Sequence, residues 1–227
     1  MNLFLIFKRT FVDFIKMKSS WIAFVILVVV SSLYFTVVLE YVEAFPNLIG
    51  LFIIYGLTPT MMMMPVMMSQ NIFYKEKVQG QIEVLLTTPL NPKDLWLGKT
   101  IAITSLSYAI TLLATIIGYS WAMFKLGHLI ILSLPVLFHL FIVIPFLAIS
   151  IAGITGLFQL MMHNPNIGLA LGVITTTVLS NTVVLLSFFW QPSEEIFVMI
   201  YLALAVILAI INMRISIGLS RERIISR

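Results

Sequence analysis

The chain has 227 residues, 61% of them hydrophobic and 10% charged, and its mean hydropathy is +1.11, far outside the soluble range. This balance excludes an ordinary soluble enzyme and indicates a single polytopic membrane domain over 1–227, with room for about six spans of roughly 20 residues. The absence of cysteine excludes disulfides, thiolate metal sites and cysteine nucleophiles.

The first nineteen residues, MNLFLIFKRTFVDFIKMKS, place Phe4, Phe7, Phe11, Phe14 and Ile15 at helical spacing. Lys8, Arg9, Asp13 and Lys16 fall mostly on the other side. This predicts an amphipathic helix over 1–19 lying in the membrane interface. A cleaved signal peptide is the weaker reading, because the basic region is long and no small-residue cleavage pattern is evident.

The first span is expected at about 21–39, uncharged and closed by the acidic, proline-bearing stretch Glu40 to Asn47. The second is expected at about 48–72. It carries six methionines between Met61 and Met68, with Pro59 and Pro65 marking kinks. Met61, Met64 and Met68 are a weak soft-metal candidate, since thioethers favour Cu(I). Packing and lipid contact around the kinks is the plainer reading, as methionine fills irregular gaps. Further spans are expected at about 100–124, 129–153, 167–189 and 196–213. Each is long enough to cross about 30 Å of hydrocarbon as a helix, which satisfies its own backbone polar groups in lipid. The short alternating segments of a membrane β-barrel are absent, so the fold class is all-α integral membrane.

Between spans two and three lies KEKVQGQIEVLLTTPL. Val78, Ile82, Leu85 and Leu86 follow i, i+4, i+7, i+8 spacing, with Glu76, Gln79 and Glu83 opposite. A two-faced helix is expected over about 76–90, ended by Pro89, which disfavours helix at Thr88. Asn91-Pro92-Lys93-Asp94 then restarts a helix: asparagine caps, proline suits the first turn, and aspartate complements the dipole.

Basic residues set the orientation. Lys8, Arg9, Lys16 and Lys18 precede span one; Lys75, Lys77, Lys93 and Lys99 lie between spans two and three; Arg214, Arg221, Arg223 and Arg227 follow span six. With both termini inside, only Lys125 falls outside, which is a strong positive-inside pattern. The expected location is the cell membrane, multi-pass, with cytoplasmic termini.

The string Glu76 to Leu90, followed by Leu97-Gly98-Lys99, resembles the cytoplasmic signature of ABC transporter type-2 permeases, E-x-x-x-G-T-x-E-x-L-L-x-x-P followed by a G-K pair. Gly80, Glu83, Leu85, Leu86, Pro89, Gly98 and Lys99 match, and Gln81 replaces the usual threonine. The resemblance implies a coupling helix over about 76–90 that docks on a separate cytoplasmic ATP-binding subunit. It nominates Glu76, Gly80, Glu83, Leu85, Leu86 and Pro89 for that contact. It further implies a second permease subunit, forming a homo- or heterodimer, and a pathway flanked by spans two and five. Mapped here, the pathway takes in Tyr55, Thr58, Met61 and Met64 with Thr175, Thr176 and Asn181. The implied function is the membrane subunit of an ATP-driven exporter. ATP is expected on the partner subunit and no cofactor on the chain itself.

The sequence departs from the family where only Trp190 to Glu195 joins spans five and six, since many members carry a long outer segment there. The compact layout also resembles the haem-exporter B subunits of cytochrome c maturation. A non-transporting scaffold or sensor, docking a cytoplasmic partner through the same helix, is the alternative from another class. The chain is read as non-catalytic: Leu97-Gly98-Lys99-Thr100 contains G-K-T, but Lys93 stands where the leading glycine of a P-loop belongs, and no strand precedes it. H-E-x-x-H and G-x-S-x-G are absent. Lipid is an expected partner and nucleic acid is not. His139, in span four, is read either as a proton or ligand group or, more plainly, as a neutral histidine bonded to a neighbouring helix.

Overall fold

Helix is the only regular structure among the residues that the computed structural model describes, namely 3–16, 21–22, 25–26, 28–30, 33, 49–87, 91–126, 131–162, 164–190, 193–220 and 224. In chain order these give α1 (Leu3–Lys16), α2 (Ile49–Ser69), a π-helical turn (Gln70–Tyr74), α3 (Lys75–Val78) and α4 (Gln81–Thr87). There follow α5 (Pro92–Leu126), α6 (Leu134–Phe138), a second π turn (His139–Val143), α7 (Ile144–Met161), α8 (Pro165–Trp190) and α9 (Glu194–Ile217).

Three helical stretches are long and apolar enough to cross a membrane: Pro92–Lys125, Leu134–Met161 and Glu194–Ile217. They occupy the places expected for spans three, four and six. The fourth runs to Met161 rather than to about 153, because the apolar sequence continues to the extended residue Met162. The sixth begins at Glu194, where Ser193 is extended and two glutamates complement the helix dipole. The uncharged helix α2 and the 26-residue α8 stand where spans two and five are expected. Positions 21, 22, 25, 26, 28–30 and 33 of the first expected span are helical; its remainder lies outside the described residues.

Helix α7 is the hub of the bundle, packing against α8, α9, α2 and α5. Its sequence explains this. Ala148, Ser150, Ala152, Gly153, Thr155 and Gly156 are small and buried, and small side chains let helix backbones approach closely where lipid supplies no hydrophobic drive. A Cβ on Gly168 of α8 would fall 2.6 Å from the Gln159 amide nitrogen, and one on Gly172 would fall 2.6 Å from Thr155 Oγ1. Gly168-Leu-Ala-Leu-Gly172 is thus a G-x-x-x-G contact pressed against α7.

The second π turn has a local cause. Pro145 has no amide to donate and its ring crowds the carbonyl four residues back, at Phe141. The turn widens, and the Ile144 amide donates to His139 O, five residues back.

Two buried clusters result. One joins Ile54, Met61, Val136, Leu140, Phe197 and Tyr201. The other joins Ile6, Phe73, Ile82, Trp96, Leu157, Leu219 and Ile224. The second cluster brings α1, residues 70–87, the start of α5 and the chain beyond α9 to one end of the bundle, which also carries Lys75, Lys77, Lys93 and Lys99.

Candidate functional site at the basic end

Helix α5 is 35 residues long, about 52 Å at the α-helical rise. That exceeds the hydrocarbon thickness, and its first turns pack Leu95 and Trp96 into the second cluster. The restart is local: Asn91 Oδ1 accepts the Lys93 amide at 3.0 Å, the N-cap geometry its sequence specifies.

The two-faced helix expected over 76–90 is instead two pieces, α3 and α4, separated at Gln79 and Gly80. Gly80 has φ +67°, a left-handed conformation that costs a side-chain-bearing residue roughly 1–2 kcal/mol. The break changes the phase. Ile82 is buried at 1% exposure, while Val78, expected on the same face, is 62% exposed and Val84 is 68% exposed. Leu85 is half-buried against the Phe73 cluster. Pro89 lies outside the described residues, as do the side chains of Glu83 and Leu86.

Glu76 does not face solvent with the rest of the segment. Its Oε2 accepts from Lys99 Nζ, and the lysine side chain is only 3% exposed. The ammonium also sits 5.7 Å from the centroid of the Phe73 ring, within cation–π range. The two ends of the string that starts at Glu76 and finishes at Lys99 therefore touch.

Lys77 makes a second link. Its Nζ donates to Leu160 O at 2.7 Å and to Met162 O at 2.6 Å, at the C-terminus of α7 where the helix dipole favours a cation. Partial burial pulls the Lys77 pKa below the ordinary lysine value, while the two carbonyls and the dipole favour the charged form.

Helix α1 lies alongside. Arg9 and Asp13 are 3.8 Å apart on its exposed side, a pair worth little by itself. A cavity of about 280 Å³ opens between α1 and the segment, lined by Thr10, Asp13, Asn71, Lys75, Glu76, Gln79 and Gln81 among others.

The described residues among those nominated for a pathway take buried, half-buried and exposed positions. Thr58 is buried, donates to Ile54 O and contacts His139. Met61 packs in the first cluster, while Met64 and Met68 pack in the second. Thr176 is buried and bonds within its own helix to Gly172 O at 2.8 Å, whereas exposed Asn181 bonds to Thr177 O at 2.8 Å. Thr175 is half-buried, and the Tyr55 side chain lies outside the described residues. No group of three metal-ligating His, Asp or Glu side chains occurs among the described residues.

Several structurally central residues escape reading by motif. Trp96 Nε1 donates to Gly153 O at 3.0 Å, and Asn212 Nδ2 to Ser150 O at 2.6 Å. Lys77 carries no local signal, since Lys75 lies two positions before it and its two acceptors are 83 and 85 residues away. No protein-family model matches the chain, and no curated protein matches it.

Proposed function

We propose that the chain is the membrane-spanning permease subunit of an ATP-driven exporter of the ABC type-2 kind, driven by a separate cytoplasmic ATP-binding subunit. In this reading it has six spans, α1 lies in the inner interface, both termini are cytoplasmic, and two permease subunits pair. The observation that carries the reading is the segment from Glu76 to Lys99. Its signature residues resemble those of the family, and its first and last members meet as a partly buried ion pair. An arm held at its base, with one face exposed beyond Gly80, suits a part that receives force.

In this reading the exposed face of the segment meets the partner. Ile82 is turned inward, so Val78, Gln79, Gln81, Val84 and Thr87, all exposed, form the docking surface. Two exposed valines beside carboxamides give the mixed apolar and polar surface usual for a protein interface.

The test is purification of the tagged chain from native membranes in mild detergent. An ATPase should copurify, and V84E should release it while leaving the chain inserted. G80L or E83A should retain the ATPase but abolish ATP-dependent export. Absence of any copurifying ATPase, with the 75–90 segment open to protease in native membranes, would sink the reading in favour of a scaffold.

A further inference from the structure

The segment that precedes the Gly80 turn is tied to the bundle by two side chains acting on two different helices. Glu76 reaches Lys99, on the first turns of α5. Lys77, the next residue, reaches Leu160 O and Met162 O at the end of α7. Covalently, the same segment continues α2 through the π turn Gln70–Tyr74.

The two ties differ in character. Lys99 is almost wholly enclosed, with the Phe73 ring beneath it. An edge of that ring meets α7, since a Cβ on Gly156 would fall 2.6 Å from Phe73 Cε2. Buried ion pairs are poor stabilisers, because desolvation offsets the attraction, and two apolar residues of similar size often serve as well. What an ion pair supplies instead is a specific partner and a defined direction of contact. Lys77 is half-exposed and holds its carbonyl acceptors through a flexible four-carbon stem, so its tie is local and separable from the first.

We propose that Glu76, Lys77 and Lys99 are positioning residues that clamp residues 75–78 to α5 and α7 independently, so that the arm, the base of α5 and the end of α7 move as one body. The proposal rests on the exporter reading for its purpose, since this body is where a push on the Gly80 turn would enter the membrane domain. The clamp itself is measurable without the ATP-binding subunit.

The cysteine-free sequence makes the test direct. Spin labels are placed on the full chain in lipid nanodiscs as the pairs V78C/K93C and V78C/M161C, reporting the arm against α5 and against α7. Electron–electron double resonance should give narrow distance distributions for both pairs. E76L/K99M, which removes both charges together and so keeps the fold, should widen the first distribution at least twofold and leave the second unchanged. K77M should do the reverse, and K77R should restore it. Equal widening of both pairs by either variant, or no widening by either, overturns the clamp. Failure of an ATPase to copurify overturns the exporter reading while leaving the distance result intact.

Discussion

Thr58 Oγ1 lies 2.8 Å from His139 Nε2, across 81 positions of sequence. Because the Thr58 hydroxyl proton is directed to Ile54 O, its oxygen accepts from the histidine. The proton therefore sits on Nε2, and Nδ1 carries the lone pair. Nδ1 is buried with no hydrogen-bond partner among the described residues. The ring also packs on Tyr201, with centroids 5.2 Å apart, so this pair joins α2 to the π turn and to α9.

That pairing predicts an asymmetry. T58V leaves a buried imidazole N–H without an acceptor and should lower stability by about 1–3 kcal/mol. T58V/H139F, which removes both partners, should cost less than T58V alone. Thermal unfolding in detergent, followed by near-ultraviolet circular dichroism, compares them; a double variant less stable than T58V would contradict the assignment.

Packing of α8 on α7 predicts a second ordering. At Gly168 an added methyl would meet backbone, at Gln159 N and Phe158 C, whereas at Gly153 it would meet the side chain of Asn212 at 3.1 Å. Backbone cannot step aside. G168A should therefore destabilise by about 1–3 kcal/mol, typical of overpacking, and G153A by less. Melting temperatures of the two variants check the order.

Gly80 is constrained by conformation rather than by space, since no atom would approach its Cβ within 4 Å. G80A should cost about 1 kcal/mol through the left-handed backbone alone. G80N should recover part of that loss, because asparagine tolerates the same conformation. Hydrogen exchange at the Gly80 and Val84 amides is the measurement; equal protection in the two variants would contradict it.

Lys77 predicts a pH dependence of definite sign. Burial lowers its folded pKa below 10.5, so between the lowered value and 10.5 the unfolded chain holds the proton that the folded chain has released. Stability attributable to this group rises with pH through that window and is lost as pH falls back through the folded pKa. The melting temperature of the unsubstituted chain should gain on that of K77M between neutral pH and about 10.5. A gap that narrows over this range would reverse the sign.

How much of this was written in the sequence varies with the range of the forces involved. The Asn91 cap was legible because it acts over two residues, and the long apolar helices because span length is a property of composition. The exposure of Val78 was not: helical periodicity assumes continuous backbone, and the left-handed Gly80 breaks the phase between Val78 and Ile82. The Glu76–Lys99 contact joins residues 23 apart and depends on how α2 meets α5, so no local pattern announces it. Gly168-x-x-x-Gly172 lay in plain view, but which helix it presses against required the fold.

The π turn at Gln70–Tyr74 has a consequence in register. An α-helix advances about 100° per residue, and a π turn absorbs one extra residue within a single widened turn, so the helix beyond it keeps the azimuth it would have without that residue. Deleting one residue from Gln70–Tyr74 would let the turn relax to α geometry with Glu76 still near its present azimuth, whereas deleting a second would swing Glu76 by about 100° around the helix axis, away from Lys99. The turn therefore buffers the bearing of the arm: the aim of Glu76 survives the loss of one residue between α2 and Glu76 and is lost with the next.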